Sequence, residues 1–143
     1  EDADWWEKEL GQSIANGRFG ENLTTSGIDV NSALVGERWK IGTTILEVSQ
    51  PRIPCRVFAG FWQRPTLIKE FMASGKPGTY LRIIQEGHIS AGDEIEVISK
   101  PQHHISIADL YAAKNGERSK VEEIAAVKEL SGKYQEWAQS LLS

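Results

Sequence analysis

The strongest constraint on the fold is a change of pattern near residue 100. Between Glu37 and Ser99 the apolar residues come in short runs, broken at close intervals by Gly, Pro and Asp. Runs of that length bounded by turn residues predict β-strands. From Pro101 onward, cap-forming residues precede stretches whose apolar positions recur at helical spacing. The chain therefore reads as a β-rich body over 1–100, followed by a C-terminal extension of three short helices over 101–143.

Within the body, strands are predicted for Glu37 to Ile41, Thr44 to Ser49, Thr79 to Gln85 and Glu94 to Ser99. Shorter ones are expected at Ile89 and around Asn22 to Thr25. Gly42-Thr43 suits a tight turn between the first pair. Leu46 and Val48 alternate with Glu47 and Ser49, the period-two pattern of a half-buried strand. Asp2 to Gly11 and Pro65 to Ser74 predict helices. The first has acids at its start and a glycine stop; the second has Leu67, Ile68, Phe71 and Met72 on one face. In the extension, Ser106 with Asp109 and Ser119 with Glu122 have capping-box spacing. Ser131 is placed to cap a last helix bearing Tyr134, Trp137, Ala138, Leu141 and Leu142.

Length and charge narrow the function classes. A chain of 143 residues can bury one core, and a formal net charge of -4 gives no global signature of nucleic-acid binding. No apolar run reaches the length of a membrane span. The single cysteine, Cys55, cannot form an internal disulfide, which fits a reducing compartment and gives a cytoplasmic expectation. The chain opens at Glu1 and already reads as helix, so an absent N-terminal segment is expected.

The functional information concentrates in Ser49-Gln50-Pro51-Arg52-Ile53-Pro54-Cys55-Arg56. The strand over 44–49 delivers the chain into this segment, where Pro51 and Pro54 stiffen the approach to the thiol. Fixed positive charge beside a thiol favours the anionic form that attacks and binds metals, and an arginine stays charged. The competing reading is a small structural core residue, and the residues alone leave both open. Upstream, Gly17 to Gly27 is a polar loop in which Gly17 and Gly20 permit close backbone approach to a ligand. Arg18, Asn22, Thr24 and Thr25 are types that recognise anions or amides, although a plain surface loop has the same composition. The loop matches neither phosphate-binding glycine fingerprint. His103 and His104 lack a partner at zinc spacing, and His88 reads as a turn residue.

Phe19-Gly20-Glu21-Asn22-Leu23-Thr24-Thr25-x-Gly27 resembles a signature of MOSC domains, named for the C-terminal domain of molybdenum cofactor sulfurase. So do Val35-Gly36-Glu37-Arg38-Trp39 and Leu46-Glu47-Val48-Ser49-Gln50-Pro51-Arg52-x-Pro54-Cys55. Gly75 to Arg82, and Gly87 with Ala91-Gly92-Asp93, continue the pattern in order. The tail, with Ser106-Ile107-Ala108-Asp109-Leu110, is similar to free-standing bacterial MOSC proteins that reduce N-hydroxylated bases.

The resemblance implies a mainly β fold: a closed β-barrel like the small barrel domain of pyruvate kinase, with the helical group appended. It implies binding of the molybdenum cofactor, a molybdopterin, with Cys55 as catalytic residue and metal ligand. Arg52 and Arg56 would offset cofactor phosphate, and Arg18, Phe19, Gly20 and Asn22 would line the pterin or substrate side. The implied activity is reduction of a small N-hydroxylated substrate, with electrons from a separate flavin or iron–sulfur protein. Pyridoxal phosphate is not expected. The rival is a non-catalytic cofactor or sulfur carrier bearing a Cys55 persulfide. Family members usually carry Gly-Asp and His-Gly-Gly elements upstream of the Trp-rich helix; this chain has neither. A barrel lacking those strands would have open edges available to a second copy, and this 143-residue species is expected to be isolated without cofactor.

Overall fold

The computed structural model describes residues 1–143. Its elements are helix α1 (Asp2–Leu10), strands β1 (Arg38–Ile41) and β2 (Thr44–Pro51), helices α2 (Arg56–Phe61) and α3 (Leu67–Ser74), strands β3 (Thr79–Gln85) and β4 (Ile95–Ser99), and helices α4 (Ile107–Lys114), α5 (Val121–Ala125) and α6 (Gly132–Ser140).

The four strands form one antiparallel sheet in the order β3-β2-β1-β4. This overturns the expected closed barrel. Closure would require the outer strands, β3 and β4, to pair with each other, and each pairs only with its inner neighbour. Four strands spaced at about 4.8 Å would give a circumference of roughly 19 Å, too tight to enclose side chains. The sheet therefore stays open, and Ile83, Ile84, Val97 and Ile98 are exposed on its outer strands. Gly42-Thr43 forms the β1–β2 turn, and Gly42 adopts φ 56°. A side chain at Gly42 would collide with the His88 carbonyl oxygen, 2.2 Å from an added Cβ, so the site needs glycine on two counts.

Two apolar clusters make the core. The larger joins the sheet, through Trp39, Ile41, Leu46 and Val48, to the C-terminal helices, through Ile107, Leu110, Ile124 and Ala138. The extension is thus packed on the body through one continuous core. The smaller cluster lies around α1, α2 and α3 and contains Trp6, Phe58, Leu67, Phe71 and Tyr111, with Phe19 and Trp62 against it.

Most buried polar groups find partners, Trp62 Nε1 being the exception. Glu47 on β2 takes Arg38 Nε at 3.0 Å and Arg82 Nη1 at 2.6 Å, which ties β1 and β3 to the central strand. Glu37 receives Trp39 Nε1 at 2.7 Å. His103 Nε2 lies 2.8 Å from the Val35 carbonyl oxygen, and His103 Nδ1 accepts the Ile105 N–H at 3.1 Å. Those contacts, with the Glu129 carboxylate 3.5 Å from Nε2, give this ring a structural role.

Several local expectations change. Residues 22–25 and Ile89 are not strands. The Ser106–Asp109 capping box forms, but α5 starts from Lys120 with no side-chain cap, because the Ser119 N–H is taken by Glu117 at 2.8 Å. Ser131 sits at the N-cap of α6 without a side-chain bond. Pro65 lies before α3, whose N-cap is Thr66.

Candidate functional site

Strand β2 ends at Pro51, which is fully buried and pairs with Thr79. That fixes the point at which the chain leaves the sheet. Pro54 is buried as well, and the next residue, Cys55, is exposed with an extended backbone (φ −132°, ψ 171°). Cys55 is the N-cap residue of α2, and its carbonyl accepts the Ala59 N–H at 3.1 Å. The thiol is thus placed on the surface and not in either apolar cluster.

The glycine-rich loop is held in shape by its own acid. The Glu21 carboxylate accepts the N–H of Gly17 at 2.7 Å and of Phe19 at 3.0 Å, and the Thr24 hydroxyl lies 3.3 Å away. Gly20 N–H donates to the Gly17 carbonyl at 2.9 Å. The loop N–H groups of Gly17, Phe19 and Gly20 are therefore occupied within the loop. Gly17 and Gly20 have φ 84° and 75°, values that disfavour other residues.

Three of the seven arginines, Arg18, Arg52 and Arg56, belong to the loop, the Cys55 segment and α2, and each is placed differently. Arg52 reaches from the segment before Cys55 to the loop, donating from Nη1 to the Phe19 carbonyl. Its guanidinium lies 4.5 Å from the Phe58 ring centroid and 6.0 Å from that of Phe71. Arg18 lies 4.7 Å over Phe61 and 5.2 Å over Trp62, so the loop also rests on α2 and the turn after it. Arg56 is the first residue of α2 and is exposed. Arg38, Arg64 and Arg82 each hold a carboxylate, whereas Arg18, Arg52 and Arg56 hold none.

The structure thus brings Phe19, Gly20 and Arg52 into contact and sets Arg18 against α2, the helix that begins beside Cys55. Asn22 is exposed, and no hydrogen bond joins it to the others. The Phe19 ring belongs with the smaller core, 5.6 Å from Phe58 and 5.2 Å from Trp62. The sequence reading assigned no role to Glu21, Phe58, Phe61 or Trp62. Glu21 stood inside the quoted loop motif; the aromatics have no local signal, since their part depends on which loop folds over α2. Trp62 Nε1 is buried without a hydrogen-bond partner beneath this loop.

No group of three or more His, Cys, Asp or Glu side chains is arranged to hold a metal ion. A single exposed thiol suits a metal that arrives with most of its own ligands, and unpaired guanidiniums suit an anionic ligand body. Cys55 would be the one protein donor to such a metal, and Arg18 and Arg56 the side chains free to meet an anionic ligand. No helix is long and apolar enough to cross a membrane.

Comparison with known proteins agrees with the motifs. The MOSC domain family matches residues 1–96. YflK of Bacillus subtilis (strain 168), an uncharacterized protein, is 31% identical over 72% of this chain and 47% of its own length. A protein named "Reductase" from Gibberella moniliformis (strain M3125 / FGSC 7600) is 30% identical over 66% of this chain and 17% of its own length. The chain thus spans less than half the length of these relatives. The crystal structure of YiiM from Geobacillus stearothermophilus superimposes with a TM-score of 0.91 at 33% identity, covering 99% of this chain and 74% of that one. The likeness extends through the C-terminal helices, beyond the part the family match covers. With the family match spanning both the glycine-rich loop and the Cys55 segment, the chain belongs to the MOSC domain family.

Proposed function

We infer that this protein is a molybdenum cofactor-dependent reductase of N-hydroxylated compounds, with Cys55 as the protein's ligand to the metal. The observation that carries the reading is an exposed lone thiol at the start of α2, a helix whose first residue, Arg56, and whose far end, under Arg18, carry guanidiniums that hold no carboxylate. Membership of the MOSC family and the name of the Gibberella relative, "Reductase", support an oxidoreductase.

When bound, the cofactor would supply two-electron removal of oxygen from an N–O group. The overall change is R–NH–OH + 2 e⁻ + 2 H⁺ → R–NH2 + H2O. Cys55 would hold the metal as a thiolate, because a coordinated thiol is kept deprotonated. Arg56 and Arg18 supply fixed positive charge for the anionic parts of the cofactor. They cannot serve as proton donors, since guanidinium keeps its protons, so both protons come from solvent or substrate. Two electrons come from a separate flavin or iron–sulfur protein, as no redox-cofactor fingerprint occurs in this sequence.

The test is Cys55→Ser assayed with a reduced viologen and an N-hydroxylated nucleobase, with the amine product quantified chromatographically. Activity falls to background while the melting temperature is unchanged, because the thiol is exposed. A fully active Cys55→Ser protein refutes the reading. Cyanide-labile sulfur on Cys55 without molybdenum would favour the carrier instead.

A further inference from the structure

We propose that Arg52 is a positioning residue, which fixes the glycine-rich loop beside the Cys55 segment, and that it does not itself bind the anionic ligand. This rests on the reading of the Cys55 region as the cofactor site and divides the labour among its arginines. The guanidinium of Arg52 is already committed. Nη1 donates to the Phe19 carbonyl, Cζ lies over the Phe58 ring 4.5 Å from its centroid, and Nη2 would stand 3.8 Å from a Cβ placed on Gly20.

This arrangement joins three parts of the chain. The Arg52 N–H contacts the Gly78 carbonyl at 3.4 Å, at the start of β3. The side chain clamps the loop from one side, and Glu21 binds its N–H groups from within. Arg18, adjacent to Phe19, is thereby held over Phe61 and Trp62, at the far end of the helix that starts beside the thiol. Arg56 is exposed and has no such commitments. A lysine at 52 would keep the charge but could not both stack flat on Phe58 and reach the carbonyl with a fixed fork.

Alkylation of Cys55 by iodoacetate (anionic) and by iodoacetamide (neutral) separates the roles, together with hydrogen exchange over residues 17–22. A charge contact alters the ratio of the two alkylation rates; a positioning group alters loop exchange. For Arg52→Ala the expected result is exchange of the 17–22 amides faster by about tenfold or more, with the rate ratio within about twofold of wild type. Arg52→Lys shows the same pattern at reduced size. Arg56→Ala lowers the ratio and leaves exchange unchanged. The proposal is overturned if Arg52→Ala lowers the ratio with unchanged exchange, or changes neither. It is also overturned if Arg52→Lys retains wild-type exchange. If Arg52→Ala fails to fold, Arg52→Lys decides alone by its loop exchange. Neither readout needs molybdenum, so failure of the reductase reading and failure of this proposal are distinguishable.

Discussion

Replacing Glu47 by alanine tests how the open sheet is held together. Glu47 is 6% exposed at the middle of β2, and its carboxylate binds arginines from both neighbouring strands at 3.0 and 2.6 Å. Charge-assisted hydrogen bonds of this kind contribute about 1.5–3 kcal/mol each where desolvated. The Arg38 and Arg82 side chains are 45% and 43% exposed, so both can return to water when the acid is removed, which discounts the sum. The expected loss for Glu47→Ala is about 2 kcal/mol, including the side chain's lost packing, or about 6–8 °C in Tm for a domain of this size. Urea unfolding monitored by tryptophan fluorescence measures it. A double-mutant cycle of Glu47→Ala with Arg82→Ala should return a coupling of about 1 kcal/mol. No loss of stability, or a coupling near zero, would refute the claim that this pair of ion pairs holds β1 and β3 to β2.

Other consequences follow from the helical extension. Burial alone would raise the Asp109 carboxyl, but the Lys120 ammonium at 2.8 Å and the Ser106 N–H and hydroxyl outweigh it and hold the group below the usual carboxylate range. A depressed folded-state value contributes stability above the unfolded value near 3.9, and that contribution disappears as pH falls through the folded one. Asp109→Asn should therefore cost about 1 kcal/mol at pH 7, and the gap from wild type should close as the pH falls below about 4; a gap constant with pH contradicts this. Burial pushes the Tyr111 phenol up to about 12, while its hydroxyl donates to the Phe71 carbonyl at 3.0 Å. Stability from this group is complete below the unfolded value near 10 and declines as pH rises towards the folded one; burial also raises the Tyr134 phenol, so a phenolate absorbance titration should find two of the three tyrosines late, and one fewer in Tyr111→Phe. That variant should lose only about 1 kcal/mol in chemical denaturation, because Ser74 Oγ still donates to the Phe71 carbonyl at 2.7 Å.

Much of the fold was legible because its signals are local. Thr79–Gln85 is a strand over the very residues that alternation indicated, and the other three strands shift at their ends by two residues or fewer. Helix α2 was not legible: six residues containing Gly60, preceded by two prolines, carry too short a pattern for helical periodicity to register. Nor was the open sheet, because the resemblance supplied a barrel whose closure depends on pairings that no local residue pattern specifies. At the site, the residues left Cys55 open between a reactive thiol and a small core residue, and the exposed position of its thiol, after the buried Pro51 and Pro54, favours the first. Arg52 was identified as a cation, but its commitment to Phe19 and Phe58 is a contact between distant segments, invisible to spacing.

The central claim is that Cys55 is the protein's molybdenum ligand, and metal stoichiometry tests it most directly. Wild type and Cys55→Ala, each expressed from the native initiator methionine, would be produced side by side in molybdate-supplemented cells, with molybdenum per folded chain measured by plasma mass spectrometry. The account predicts bound molybdenum approaching one per chain in the wild type and near none in the variant. Equal molybdenum in both proteins, or none in either, would contradict it.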